Sequence, residues 1–375
     1  MFKPLLFFTL LGALMGVMLS VISNLSGIDI ASLIFPSTLS LLGTMTSAIL
    51  FTIIGIILHE LGHLVFGLLT GYRFSSFRLA SLVWFKEDNR ICFKVSSSVV
   101  AGQCLMVPTK DFAAFKFILY NLGGAIFNFL LCLVLLVPLF IIPWDSALSD
   151  FFRYGLLINF MLGAVNLIPI KSLANDGANL FEALKSESAT RGLYMMLYIN
   201  NEVMEGKRFR DFDSALFEVA ENADLNNYMI AYLIMLEASR LEDLGQYDEF
   251  AQLFTLLDPN KLPSIYGSLI KADLLYYHVI YNPNYDQARQ IYKDKKLLNL
   301  LKAKLPTLMR ISAAYEFFVK DDKKKGTILL EKAKKSVINL PNKGQRLMET
   351  EYIKKLEDLM QANQKKQEEG GNHAT

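Results

Sequence analysis

The chain has 375 residues, 53 % of them hydrophobic, and a formal net charge of +2. So even a charge balance argues against nucleic acid as a partner. Cys92, Cys104 and Cys132 show no C-x-x-C spacing and read as packing residues, not a disulfide framework.

The apolar content is uneven. Nearly all long apolar runs lie before Ile170, and the remainder of the chain has the composition of a water-soluble helical protein. A membrane part and then a soluble part are therefore expected.

In chain order, Lys3 precedes an apolar run over residues 4–22. A retained transmembrane helix and a cleaved signal peptide both match this pattern. The length of the run and the lack of a clear A-x-A site favour the retained helix. A second span is expected over residues 39–69, longer than one bilayer crossing needs.

That span contains His59-Glu60-Leu61-Gly62-His63, an H-E-x-x-H pattern. On a helix, His59 and His63 stand at i and i+4, so both imidazoles face one way and can grip one metal ion. Glu60 projects beside them, within reach of a water on that ion. Two histidines and a glutamate are expensive to hold in hydrocarbon, which marks them as functional candidates.

Residues 72–116 form a loop between spans. Ser75–Phe85 and Ile91–Val95, rich in aromatic and β-branched residues, flank the polar turn Lys86–Arg90 and read as a β-hairpin. It fits either a small cytosolic sheet or an amphipathic hairpin lying against the membrane near the metal. Ala101–Cys104 reads as a flexible loop closed by Pro108. Spans three and four are expected over residues 117–142 and 151–170. The third carries Asn121, Gly123, Gly124 and Asn128, and the fourth Asn159, Gly163 and Asn166. Glycines permit close helix approach, and buried amides hydrogen-bond between helices.

Basic residues set the topology. Arg73, Arg78, Lys86, Arg90, Lys94, Lys110 and Lys116 crowd the 72–116 loop, whereas the loop between spans three and four has Asp145 and Asp150 and no basic residue before Arg153. By the positive-inside rule, the 72–116 loop and the C-terminal part are expected in the cytosol.

Residues 177–361 look helical, with a faint repeat. Phe212, Tyr247, Tyr285 and Lys323 are separated by steps of 35, 38 and 38 residues, near the tetratricopeptide period of about 34. An irregular helical bundle is the alternative. Residues 362–375 are polar and expected to be disordered.

Taken together, these residues resemble the site-2 protease family of intramembrane zinc metalloproteases. Three family signatures have counterparts in order. They are H-E-L-G-H at His59–His63, then Gly123-Gly124-Ala125-Ile126-Phe127-Asn128 in place of G-P-x-x-N, then Asn166-Leu167-Ile168-Pro169 with Asp176-Gly177 in place of N-x-x-P followed by D-G. Bacterial members also carry a membrane-associated β-hairpin between the first two signatures, like Phe77–Val95. The chain departs from the family in lacking the proline of G-P-x-x-N, in a longer gap from Asn166 to Asp176, and in Asn175, where a leucine is usual.

The resemblance implies a mainly α fold: a polytopic membrane helix bundle with a small β-hairpin over residues 1–176, then a soluble all-α, tetratricopeptide-like domain. It implies Zn2+ held by His59, His63 and Asp176, Glu60 as general base, and Asn128 and Asn166 supporting the site or the substrate. The activity implied is hydrolysis of peptide bonds in membrane-embedded segments or membrane-associated peptide precursors. The expected partners are single-span membrane proteins or peptide precursors, a protein or peptide on the C-terminal domain, and the lipid bilayer. The expected location is the cell membrane, multi-pass, with the C-terminal domain in the cytosol.

Asp176 has a competing role, as the cap of the helix just after it. Two rival functions also stand. A membrane zinc protease of the prenyl-protein processing kind takes a Glu as third ligand, and spans three and four contain no Glu. A membrane-tethered helical-repeat scaffold with a non-catalytic metal site would not need the intact Glu60.

Overall fold

The structure is a computed structural model and describes residues 41–87, 90–340 and 342–371. The first expected span, residues 4–22, lies outside them. The described chain is mostly helical with a small sheet.

Three described helices are long and apolar enough to cross a membrane. They are α1 (Leu41–Thr70), α2 (Ile118–Leu139) and α3 (Ala147–Leu167). Helices α1 and α2 are rich in Leu, Ile, Phe and Val, and α3 is more mixed, with Asp150, Arg153, Asn159 and Asn166 among its apolar residues. Helix α3 starts earlier than the apolar run suggests, because Asp150 and Arg153 pair within its first turns. The Arg153 guanidinium also donates to the Trp144 carbonyl and lies 4.6 Å from the Trp144 ring. That pairing offsets the cost of burying both charges.

Gly71, with φ +91°, ends α1 and turns the chain into strand β1 (Tyr72–Glu87). Strand β2 (Arg90–Pro108) returns antiparallel, from Glu87 opposite Arg90 to Tyr72 opposite Pro108. The hairpin is longer than expected. Ala101–Cys104 is not a flexible loop but part of β2, with Gly102 opposite Leu79. Register shifts at Phe74/Ser76, Leu79/Ala80 and Ala80/Leu82 absorb the surplus length of β2 and let the ladder resume.

The chain divides into two compact units, Met1–Gly62 with Gly123–Asn166, and His63–Leu122 with Leu167–Thr375. The hairpin, Asp176 and the whole C-terminal part thus share one unit. In that unit α4 (Asp176–Ala183) and α5 (Glu187–Glu205) lead into the helical region. One core joins Tyr72, Met106 and Tyr120 to Ala178, Leu193 and Tyr228. A smaller one packs Val83 and Phe85 of the hairpin on Met204 of α5.

The region after Asn227 contains three helical hairpins. Helix α6 (Tyr228–Leu244) turns at Gly245, φ +81°, into α7 (Tyr247–Thr255). Helix α8 (Ser264–Tyr276) unwinds through a π-turn into α9 (Tyr285–Ile291). After α10 (Lys295–Leu300), α11 (Pro306–Ala314) and a second π-turn lead to α12 (Lys323–Ser336). The repeat positions Tyr247, Tyr285 and Lys323 each open the second helix of a pair. The small residues Ala288 and Ala333 are fully buried, as close packing of one helix on the other requires. Phe212 does not open a helix; it lies between two 3-10 turns, Phe209–Asp211 and Ser214–Phe217. Here Arg208 and Arg210 are held by Asp243 and Glu351, which fixes the segment as a strap.

The final helix α13 (Lys343–Gly371) runs on through residues 362–371. Lys, Gln and Glu are good helix formers, and they extend a helix already nucleated by the buried Tyr352, Ile353, Leu356 and Met360.

Candidate metal centre

Helix α1 runs unbroken through His59, Glu60 and His63, and all three side chains are buried. Each histidine is oriented through its Nδ1. His59 Nδ1 lies 2.7 Å from Asn128 Oδ1. The Asn128 amide nitrogen donates to the Gly55 carbonyl at 3.0 Å and to Asn159 Oδ1 at 3.3 Å. Its oxygen must therefore accept, so His59 carries its proton on Nδ1 and its lone pair on Nε2. Asn159 in turn donates to the carbonyls of Phe51 and Gly155, at 3.3 and 2.9 Å. The chain Asn159–Asn128–His59 sits in a setting where few other donors exist.

His63 obeys the same rule. Its Nδ1 lies 2.7 Å from the Tyr120 carbonyl oxygen, which can only accept. The lone pair of a neutral His63 is again on Nε2. The Tyr120 ring meets the imidazole edge-on at 5.6 Å and stacks on Tyr72 at 4.8 Å. The Tyr120 hydroxyl donates to the Cys104 carbonyl at 2.9 Å, tying this support to β2.

Glycines decide how closely the elements approach. A Cβ at Gly62 would overlap the Gly123 carbonyl, and a Cβ at Gly124 would overlap the His59 imidazole at Nε2. The pair Gly123-Gly124 therefore does two things. It admits α2 to α1, and it leaves room beside the His59 ligand atom.

Asp176 is the first residue of α4, but it is not the cap. Asn175 is: its Oδ1 accepts from Ala178 N at 3.1 Å. The same oxygen accepts from Ile170 N at 3.1 Å, and the Asn175 amide donates to the Ile168 carbonyl at 2.8 Å. Asn175 thus stitches the loop after Pro169 to the start of α4. Ala174 takes the left-handed φ of +49° to allow it. Relieved of capping, Asp176 turns its Oδ2 to within 3.2 Å of His63 Nε2.

Among the described residues, His59, His63 and Asp176 form the group able to hold a metal, with one ligand atom from each within 4.8 Å of the others. The donor set fits zinc: two neutral imidazoles and a carboxylate. With Nδ1 of His63 protonated, Nε2 and Asp176 Oδ2 present lone pairs to each other, which calls for a positive charge between them. Ligands on metal bonds of about 2.0–2.1 Å in a tetrahedron stand about 3.3 Å apart. The observed 3.2 Å suits that spacing.

The candidate Asn166 lies in the last turn of α3, where its side chain donates to the Leu162 carbonyl of its own helix at 3.0 Å. The sequence placed Asn128 at the site but gave Asn159 only as a span amide and Asn175 only as a departure from the family pattern, and it missed Tyr120. An Asn at i and i+4 from a span glycine was the only available signal for Asn159.

Comparison of the chain with family models, with curated proteins and with solved structures finds no match.

Proposed function

We propose that this chain is an intramembrane zinc metalloendopeptidase of the site-2 protease type, multi-pass in the cell membrane. One observation carries the reading: both histidines of the H-E-x-x-H helix are fixed through Nδ1, and Asp176 meets the Nε2 of His63 at 3.2 Å. Zinc, when bound, would act as a Lewis acid and bring the pKa of water to about 7. Glu60, buried next to His59 on α1, accepts the proton of the attacking water and delivers it to the leaving amine. Asn128, Asn159 and Tyr120 hold the imidazole rings so that neither has to reorganise during turnover.

The substrates are membrane-embedded segments or membrane-associated peptide precursors. Such a segment must leave its helical conformation before its carbonyls can be attacked. Among the described residues the sheet is the β1–β2 hairpin, and an extended segment could be received at a sheet edge by strand addition. Three helical hairpins at nearly regular spacing support a tetratricopeptide-like partner-binding role for the C-terminal region. The basic residues of the 72–116 loop support a cytosolic location for it.

The deciding experiment measures zinc content together with cleavage of a reporter bearing a single transmembrane segment. Wild type should bind one zinc and cleave. Glu60→Ala should retain zinc and lose cleavage, and Asp176→Ala should lose both. Cleavage by Glu60→Ala at the wild-type rate, or full zinc occupancy in Asp176→Ala, would overturn the reading.

A further inference from the structure

The C-terminal region holds a cavity of about 450 Å³ between the helical hairpins and α13. Its wall is aromatic: Tyr247, Tyr276, Tyr281 and Tyr352, with Lys355 and Asp358 also lining it. Tyr247 and Tyr281 stack in parallel at 3.7 Å, and Tyr276 meets Tyr281 edge-on at 5.2 Å. A helix-pair core filled for stability alone would use Leu and Ile here. Four tyrosines line this open space, together with Ile280 and Leu359.

Behind this wall the charges do not balance. The Tyr281 hydroxyl donates to Glu242 Oε1 at 2.8 Å. Glu242 and Glu349 both raise Asp273, which makes an acidic group of three. One base answers them, Arg310, and its Nε is engaged by Glu349 Oε1 at 2.7 Å. Arg208 and Arg210 belong to Asp243 and Glu351. Lys355 is paired with Glu351 at 3.0 Å. Burial pushes both Glu242 and Asp273 upward, and Glu242 raises Asp273 further. Both still keep partial access to solvent.

The rings already show what they hold well. The Arg310 guanidinium lies 4.2 Å from the Tyr276 ring centre and 5.0 Å from that of Tyr352. Cations sit favourably on tyrosine faces, more so where water is scarce.

We propose that this tyrosine-walled cavity binds a cationic group, the guanidinium or ammonium of a basic peptide side chain, with Glu242 and Asp273 supplying the countercharge. The ligand's charge settles against the tyrosine rings, with Glu242 behind them on the Tyr281 hydroxyl. This recognition is independent of the metal centre and stands whether or not the chain is a peptidase.

The test uses the full chain in detergent micelles and saturation-transfer NMR with four capped amino acids: N-acetyl amides of arginine, lysine, glutamine and glutamate. The arginine or lysine probe should bind saturably and at least ten-fold more tightly than the glutamine probe. Glu242→Gln combined with Asp273→Asn should remove that preference. If this double variant does not fold, Lys355→Glu at the exposed rim is read instead, and it should tighten cation binding. No saturable cation binding, equal binding of the glutamine probe, or unchanged affinity in a folded double variant would overturn the proposal. So would preference for the glutamate probe, which would assign recognition to Arg310, whose Nη1 has no hydrogen-bond partner.

Discussion

Asn175 caps the helix whose first residue is Asp176, and this division of labour releases the carboxylate toward His63. One side chain satisfies Ala178 N and Ile170 N and grips the Ile168 carbonyl. The other then has no capping duty and lies 3.2 Å from His63 Nε2.

That pair yields a first prediction. Asn175→Ala removes three hydrogen bonds from the Asp176 loop, so zinc affinity should drop about 10–100-fold, as expected when a supporting group is lost. Asn175→Asp keeps the cap and the acceptor for Ile170 N, and should retain most of the affinity. Competition with a fluorescent chelator measures both. Equal affinity in Asn175→Ala and wild type would show that the loop is held by something else.

Gly124 carries the second prediction. A Cβ at this position would collide with His59 at Nε2. Gly124→Val should therefore abolish zinc binding, while the helices still insert, since valine is at home in a span. Gly163→Ala, whose Cβ would meet the Phe129 ring at 3.0 Å, is the control. It should loosen packing without emptying the site. Zinc stoichiometry after affinity purification distinguishes the two. A zinc-replete Gly124→Val protein would disprove the steric reading.

The parts of the molecule legible in its sequence are those in which one residue type implies one environment. Three apolar runs became helices within a few residues of their expected limits, each long and apolar enough to cross a membrane. Tyr247, Tyr285 and Lys323 each stand at a helix start, whereas Phe212 of the same series does not. Three features were not legible. Asn175 looked like a departure from a familiar pattern, and only the folded loop gives its amide three backbone partners. Asn159 was one polar residue among several in its span until Asn128 stood opposite it. Ala101–Cys104 looked like a loop because the bulges that let it pair depend on the partner strand.

Asn128 provides a third prediction. Its oxygen fixes the His59 tautomer while its nitrogen is spent on Gly55 and Asn159. Asn128→Leu leaves His59 unoriented and removes the extra hydrogen bond on the Gly55 carbonyl, so zinc affinity should fall about 10–100-fold. Asn128→Asp preserves the acceptor facing His59 and should lose less. If Asn128→Leu binds zinc as tightly as wild type, the imidazole is oriented by another contact.

The last prediction concerns two neighbouring carboxylates that the fold drives in opposite directions. Asp243 is buried, but hydrogen bonds from Arg208 and Arg210 outweigh the burial and hold it below the ordinary carboxylate range. Against partial burial, Arg208 and Lys355 likewise hold its neighbour Glu351 at about 2. Next to Asp243 in the chain, Glu242 is raised by burial, against the pull of Arg310 and the Tyr281 hydroxyl. The two kinds of shift have opposite linkage. A depressed carboxylate contributes stability that is complete above its unfolded pKa and is lost as pH falls through its folded one. A raised carboxylate contributes stability below its unfolded pKa and loses it as pH climbs through the folded value. Asp243→Asn should therefore destabilise the protein at pH 7 by about 2 kcal/mol, because it removes one of the two carboxylates that hold Arg208 and Arg210. The deficit should shrink as pH falls below the ordinary carboxylate range, where the wild-type pair is progressively lost. Glu242→Gln should cost little at pH 7 and flatten the decline in stability on the alkaline side. Thermal unfolding of the full chain between pH 3 and pH 9 checks both. Parallel pH profiles for the two variants would mean that the adjacent carboxylates share one environment, contrary to the geometry.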